Sequence, residues 1–459
     1  MKKKILALAM SMLMTAGMLA GCGGTEKSDS STESGDAKQE SASAQEGTSA
    51  AGEAGEGEIK VPEEITFYVY YADSSLPRVD ETMKRLKEIY PDTKVNIEHR
   101  TDGDGSVLKT RAAVGELPDI FECMGQVEEP LLKSGDLVML DDVMEEKDFA
   151  SKFFDGNLDI KKAEDGHYYA VDTVTPSPYL IYYNTEVFEK LGLEEPTNYD
   201  EFKHVVKTLA ENDIIPLSLF GQEKWPGLQL YDMAVIGQGQ ELGIAGLESG
   251  ETKITDPEYA EAAKKIEELV SMGMIGKGAL NTNASQAFEL LGNGQAGMLG
   301  NGTWFFNDAI TGGWADHIGY FHYNPFTDAG KEQETQWHMS GGQGTRGGYA
   351  VSAKGEYAEF CKRFVLDYVY IRQQVNAENG EITALKETIE PTVERPASFA
   401  DFADNVANIK STSKFEYTFT NAEMLAALEN ENELLNTGSV SAEEYIADLQ
   451  EALADIESE

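Results

Sequence analysis

An α/β fold built from parallel sheets and divided into more than one domain is what this sequence predicts, on three observations. Between Ile65 and Glu122, β-branched and aromatic runs alternate with runs of helical period, as a parallel sheet with crossover helices requires. From Tyr168 to Tyr183 an extended aromatic run is interrupted by Pro176 and Pro178, then yields at Asn184 to an apolar helical pattern, as where a chain leaves one domain for another. At 459 residues the chain is also too long for one core.

Taken in order, ITFYVYYAD from Ile65 is a strand, and VDETMKRLKEIYP after it is a helix stopped by Pro91. KVNIEHR is a second strand, Val107 to Val114 a helix, and Asp119 to Glu122 a third strand. Ligands in such sheets sit beyond the carboxyl ends of the strands, which singles out Tyr71 to Asp73 and Glu122 to Gly125. Tyr70 and Tyr71 face opposite ways, and Tyr71 lies nearer the strand end. Beyond the proline crossing, a helix opens at Tyr199 with an acidic first turn, and IIPLSLFG is a buried strand. Helices follow near 256–272 and 285–293, then strands at 295–299, 318–323 and 349–352, with helices dominating from Glu356 onward.

The first residues set the compartment. Lys2 to Lys4 precede an apolar run from Ile5 to Met18, and Leu19-Ala20-Gly21-Cys22 follows, the order of a secretory signal. The tetrad resembles the lipobox of bacterial lipoproteins, which implies cleavage before Cys22 and lipid on its sulfur. From Cys22 to about Lys60 the chain is Gly, Ser, Ala, Thr and Glu without aromatics, a flexible tether whose forty or so residues would reach about 35 Å. A net charge of −44 excludes a general nucleic-acid binder and adhesion of the folded part to anionic lipid. Cys123 and Cys361 carry no framework signal, so no disulfide is expected to hold the fold.

Several formal motifs fail on their own geometry. Gly342-Gln343-Gly344-Thr345-Arg346-Gly347 has dinucleotide-loop spacing but precedes a strand instead of joining strand to helix, and reads as a flexible turn beside a hinge. Asp102 to Ser106 resembles the start of a calcium loop, yet the sixth position is Val107 and the twelfth Ala113. The six histidines form no zinc signature, and no nucleophile elbow or Walker loop is present, so neither metal nor cofactor is expected.

Four phrases, GELPDIFECMG from Gly115, YYAVDTVTPSPYLIYYNTEVFEKLGL from Tyr168, GNGQAGMLGNGTWF from Gly292 and GGYAVSAKGEYAEFCKRFVLDYV from Gly347, together resemble the solute-binding proteins of carbohydrate ABC importers, the family of maltose-binding protein. The resemblance implies a two-lobe periplasmic-binding-protein fold of type II kind, each lobe a mostly parallel sheet flanked by helices. Three crossings are expected, near 174–179, 317–320 and 349–352. The expected division is a signal peptide at 1–21, a tether at 22–62, a first lobe of 63–175 with 319–350, and a second of 176–318 with 351–459.

It further implies a monomeric, extracytoplasmic receptor, without catalysis, that passes carbohydrate to permease subunits; the lipobox implies a lipid anchor, and the acidic tether and export signal suit a Gram-positive surface. A sugar needs aromatic platforms and paired hydrogen-bonding groups. The family often places a stacking tryptophan at the position of Trp304; Trp225, after the strand ending near Phe220, is a second candidate, against core packing for both. Tyr71, Asp73, Glu122, Asp172 and Arg346, with Gln126 and Asn301 as fillers, fall at strand ends or crossings. Asp172 stands where the family often has proline, and Asn198-Tyr199 where Thr-Trp is common, the latter read as helix-start packing. So acidic a chain also admits a glycoside hydrolase, and the fold admits a receptor for a peptide or other small polar solute.

Overall fold

The computed structural model describes residues 59–69, 76–100, 105–124, 127–173, 175, 177–344 and 346–458. Eleven strands are β1 Glu64–Val69, β2 Lys94–His99, β3 Ile120–Met124, β4 Ala170–Val171, β5 Tyr179–Asn184, β6 Ile215–Ser218, β7 Ala296–Gly302, β8 Ile318–Tyr320, β9 His338–Met339, β10 Gly347–Val351 and β11 Ser411–Thr412. They form two lobes. The first holds a sheet in the order β2-β1-β3-β10-β4, the second a sheet in the order β6-β7-β5-β8, and β9 pairs with β11 separately.

β1 shows why the first sheet is interior. Ile65, Phe67 and Val69 enter one core with the helix Ala358–Glu378, where Phe67 meets Tyr368 edge-on at 4.7 Å. Tyr68 enters the core on the other face with Leu108 and Phe121. With both faces covered, the strand is apolar at every position from Phe67 to Val69. In the second lobe the helix Trp225–Ile236 is buried from Pro226 onward, because apart from Gln229 and Asp232 it is apolar on all sides and lies among the helices Pro257–Ser271, Ala422–Asn436 and Ala442–Ser458.

One strand in each sheet runs against the others. β10 is antiparallel to β3 and β4, and β5 is antiparallel to β7 and β8. Both follow a crossing between lobes. A chain arriving from the other lobe enters the sheet where the parallel strands end, so it must run back along them. The crossings and the carboxyl ends of β3, β4 and β7 therefore lie on one side of their sheets.

Gly348 marks how closely the crossing strand packs: its φ is +143°, and a Cβ there would stand 2.5 Å from the carbonyl oxygen of Val171.

The segment boundaries differ from expectation in two places. Residues 318–320 pair with β5 in the second sheet, so the return to the first lobe occurs at Gly341–Arg346, ahead of β10. The helix Ala358–Glu378 packs in the first core, and the third crossing follows it, since Phe399 and Phe402 pack in the second lobe. Pairing between distant strands fixes both points, and local pattern does not carry it. Of the first crossing, expected near 174–179, residues 174 and 176 lie outside the described set. Cys123 and Cys361 are buried and unpaired.

Candidate functional site

The second lobe contributes aromatic rings at the ends of its strands. β7 ends at Gly302, and Trp304 begins the helix Phe305–Gly312 one turn residue later. The indole lies flat on Gly302, where a Cβ would come within 2.3 Å of the ring. Trp225 opens the helix Trp225–Ile236, with Pro226 fixing the first turn and the indole N–H donating to Glu223 at 3.1 Å. The two indoles stand 5.8 Å apart, Trp304 lies 5.2 Å from Phe415, and Tyr417 stacks on Phe415 at 5.1 Å and 9° while meeting Trp225 edge-on at 6.0 Å. Tyr417 is 42% exposed, so this four-ring cluster presents a face to solvent.

The first lobe contributes ion pairs at the ends of β3 and β4. Arg372 reaches from the helix Ala358–Glu378, donates to the Tyr349 hydroxyl at 2.6 Å and lies 4.0 Å from Asp172. Asp172 also accepts the Thr173 N–H at 2.8 Å. Glu122 pairs with Arg100 at 3.3 Å. Arg346 is gripped by Glu128 at 2.8 Å and by Glu129. Burial pushes the Glu128 carboxyl up, against the pull of Arg346, and pushes the ammonium of Lys161 down, against the charges of Asp172 and Glu128. Four cations here, Arg100, Lys161, Arg346 and Arg372, face four carboxylates, Glu122, Glu128, Glu129 and Asp172.

The crossings join these halves. The Ser177 and Thr303 hydroxyls meet at 2.5 Å, next to Trp304, and Gly342 packs on Ser177 and Pro178, leaving no room for a Cβ.

Of the expected residues, Trp225 and Trp304 are brought together. Glu122, within β3, and Asp172, just after β4, lie on either side of β10, and Arg346 is tied to the helix Glu128–Lys133. All three carry ion-pair partners that the sequence did not indicate. Tyr71, Asp73, Gln126 and Cys22 lie outside the described residues. Asn301 is fully buried and bonds the adjacent Gly302 N–H at 2.8 Å, in the core instead of at a surface. Asn198 does cap the helix Tyr199–Glu211, accepting the Glu201 N–H at 3.2 Å.

Sequence reasoning missed Arg372, Lys161, Phe415 and Tyr417. For Phe415 and Tyr417 the alternating aromatic run Phe415-Glu416-Tyr417-Thr418-Phe419 was the available signal; Arg372 is one of several charged residues in the 358–378 helix and did not stand out.

A recess of about 520 Å³ lies elsewhere, between the helices Leu76–Ile89 and Ala358–Glu378. Of its cations, Arg85 pairs with Glu378 at 2.6 Å, Lys147 pairs with Asp367 at 2.8 Å, and Lys152 stands 4.5 Å over the Tyr370 ring. Among the described residues no cluster of three or more His, Cys, Asp or Glu could hold a metal, and no helix is long and apolar enough to cross a membrane.

Two α/β lobes with crossings between them and groups gathered at their strand ends define a class of ligand receptor. The profile of the bacterial extracellular solute-binding protein family matches residues 73–366, and the chain belongs to that family. It is similar to an uncharacterized ABC transporter extracellular-binding protein of Pyrococcus horikoshii, 23% identical over 266 residues that cover 56% of this chain and 59% of that one. It is likewise similar to the multiple sugar-binding protein of Streptococcus mutans, 25% identical over 250 residues covering 49% and 55%. The matches thus span little more than half the length of these curated relatives. A solved structure from work on xylan utilization by Caldanaerobius polysaccharolyticus superposes with a TM-score of 0.71 at 20% identity, over 84% of this chain and 99% of that one, a likeness of fold.

Proposed function

We propose that this chain is the capture component of an ABC importer, closing its two lobes on a sugar or oligosaccharide and delivering it unaltered to permease subunits. The observation that carries the reading is the four-ring cluster at the strand ends of the second lobe, in which exposed Tyr417 and half-buried Trp225 and Trp304 stand on buried Phe415. Sugars stack their C–H faces on such rings. The ion-paired groups at the first lobe's strand ends support it, because charged groups already held in place make directed hydrogen bonds to hydroxyls and their balance favours an uncharged ligand. The likeness to the multiple sugar-binding protein of Streptococcus mutans points the same way.

In this reading Trp304 and Trp225 are stacking platforms, and Tyr71, Asp73, Glu122, Asp172 and Arg346 belong to the first lobe's side of the cleft. Residues 1–21 are a signal peptide, Cys22 carries lipid, and a tether to residue 62 holds a monomer at the outer face of a membrane, on a Gram-positive surface. Closure needs only tighter binding to the closed form, with the crossings absorbing the dihedral change.

Calorimetry with maltotriose, xylotriose and raffinose tests it. A micromolar or tighter complex, about −8 kcal/mol, is expected with a neutral saccharide. Binding of peptides or polyamines in place of every saccharide would overturn the sugar assignment. Time-dependent release of reducing ends from the bound sugar would overturn delivery without chemistry.

A further inference from the structure

In the middle of the buried helix Trp225–Ile236 lies a carboxylate with no exposure to solvent, Asp232. Four donors converge on it. The Ile244 N–H reaches one oxygen at 2.7 Å; the Gln229 amide at 2.9 Å, the Ser340 hydroxyl at 2.7 Å and the Ser413 hydroxyl at 2.6 Å reach the other. The direction of these bonds is fixed by what lies behind them. Ser413 Oγ accepts the Gly341 N–H at 2.8 Å, which leaves its proton for Asp232; Ser340 Oγ accepts from the Gln229 amide at 2.6 Å, and its proton has Asp232 at 2.7 Å as the nearer acceptor and the Gln229 carbonyl at 3.2 Å as the farther.

The segments so fastened belong to the hinge and to the aromatic cluster. Ser340 accepts the Tyr179 N–H at 2.7 Å, where the first crossing enters β5, and is followed by Gly341 and Gly342 of the second crossing, both with positive φ. The Ser413 carbonyl accepts the Gln343 N–H at 2.8 Å, within that same crossing. Two residues beyond Ser413 stands Phe415, and two further Tyr417.

We propose that Asp232 is a positioning residue for ligand capture: it binds the Phe415–Tyr417 segment to both crossings, so that the aromatic wall and the hinge move as one unit. The capture half of this statement rests on the reading of the wall as a sugar site. The mechanical half does not.

The same geometry makes the unit sensitive to a proton. An ionised carboxylate accepts from all four donors, whereas a protonated one brings a fifth hydrogen among them, so the set must rearrange, with Ser340 turning its proton to the Gln229 carbonyl or one contact opening. Burial pushes the Asp232 carboxyl up to about 6, with the hydrogen bonds from Ser413, Ser340 and Ile244 opposing it. Among the described residues no lysine, arginine or histidine pairs with it. The charged neighbours on the surrounding segments are turned elsewhere, His338 to Ser411 at 2.7 Å and Glu241 at 3.4 Å, and Lys414 to Glu248 at 3.1 Å. Tyr259 and Glu416, which reach Asp232 by charge, are both pushed up, chiefly by burial.

The test needs no ligand. Tryptophan emission of the full chain is followed between about pH 5 and 7.5, with amide exchange measured across 340–346 and 413–419. In the wild type, emission is expected to step with a midpoint near 6, and both stretches to exchange at least about threefold faster below it. Asp232→Asn is expected to remove the step and leave both stretches fast at every pH. Ser413→Ala, which spares the other three donors, is expected to speed exchange across 413–419 at pH 7.5 while the helix Trp225–Ile236 stays protected.

A flat wild-type profile, a step that survives in Asp232→Asn, or wild-type exchange in Ser413→Ala would each overturn the proposal. Calorimetry with the three saccharides is then repeated at pH 5.5 and 7.5. For one that binds, affinity weakened about fivefold or more at the lower pH in the wild type alone is the expected result, and equal affinity at both pH values contradicts the capture half. If none binds, the sugar reading falls, and the exchange data still decide the mechanical half.

Discussion

At the scale of single residues, two side chains make the account measurable. Trp304 lies on Gly302 and beside Trp225 and Phe415, so it serves packing as well as any ligand. Trp304→Ala is expected to weaken sugar binding by about 1–3 kcal/mol, while Trp304→Phe keeps most of the affinity. If the alanine variant only lowers the melting temperature and binds as before, the ring is structural. The second is His322, held between Glu195 at 2.9 Å and Asp401 at 2.7 Å, with Tyr320 also donating to Asp401 at 2.6 Å. The hydrogen bond to Glu195 is the largest cause that lifts the imidazole from 6.5 to about 9, with burial opposing. The folded state therefore holds the proton more tightly than the unfolded chain. Its contribution to stability is fully present below about pH 6.5 and is lost as pH rises through about 9. Urea midpoints compared across that window should fall in the wild type and fall less in His322→Gln.

At the scale of elements, β10 is the strand on which the first lobe closes, wedged antiparallel between β3 and β4. Gly348 permits this, and Gly348→Ala should cost about 2–4 kcal/mol, because the added methyl meets Val171 backbone in a conformation that alanine rarely adopts. Chemical denaturation checks it, and an unchanged midpoint would show that the strand can shift without penalty. This strand also marks the limit of what could be read beforehand. β1, β2 and β3 declared themselves by their alternation, and the Asn198 cap by its place ahead of an amphipathic run. The pairing of β8 with β5, and the return of the long helix to the first core, depend on contacts between residues far apart in sequence, which local period does not encode. The candidate site divides the same way. Trp225 and Trp304 were visible as aromatics at strand ends, while the partners of Glu122, Asp172 and Arg346 come from other elements.

At the scale of the molecule, a chain of net charge −44 carries at its strand ends a cluster in which four cations offset four carboxylates. The surplus negative charge lies elsewhere, where it repels itself, and moderate salt is expected to raise the melting temperature by screening that repulsion. A melting temperature that falls steadily with added salt would mean that ion pairs outweigh repulsion. The central claim concerns the whole body: two lobes close on a saccharide through the crossings. Small-angle X-ray scattering of the full chain, with and without a calorimetrically binding saccharide, measures this most directly. A smaller radius of gyration and a changed curve on binding are predicted, and superimposable curves at saturating sugar would contradict it.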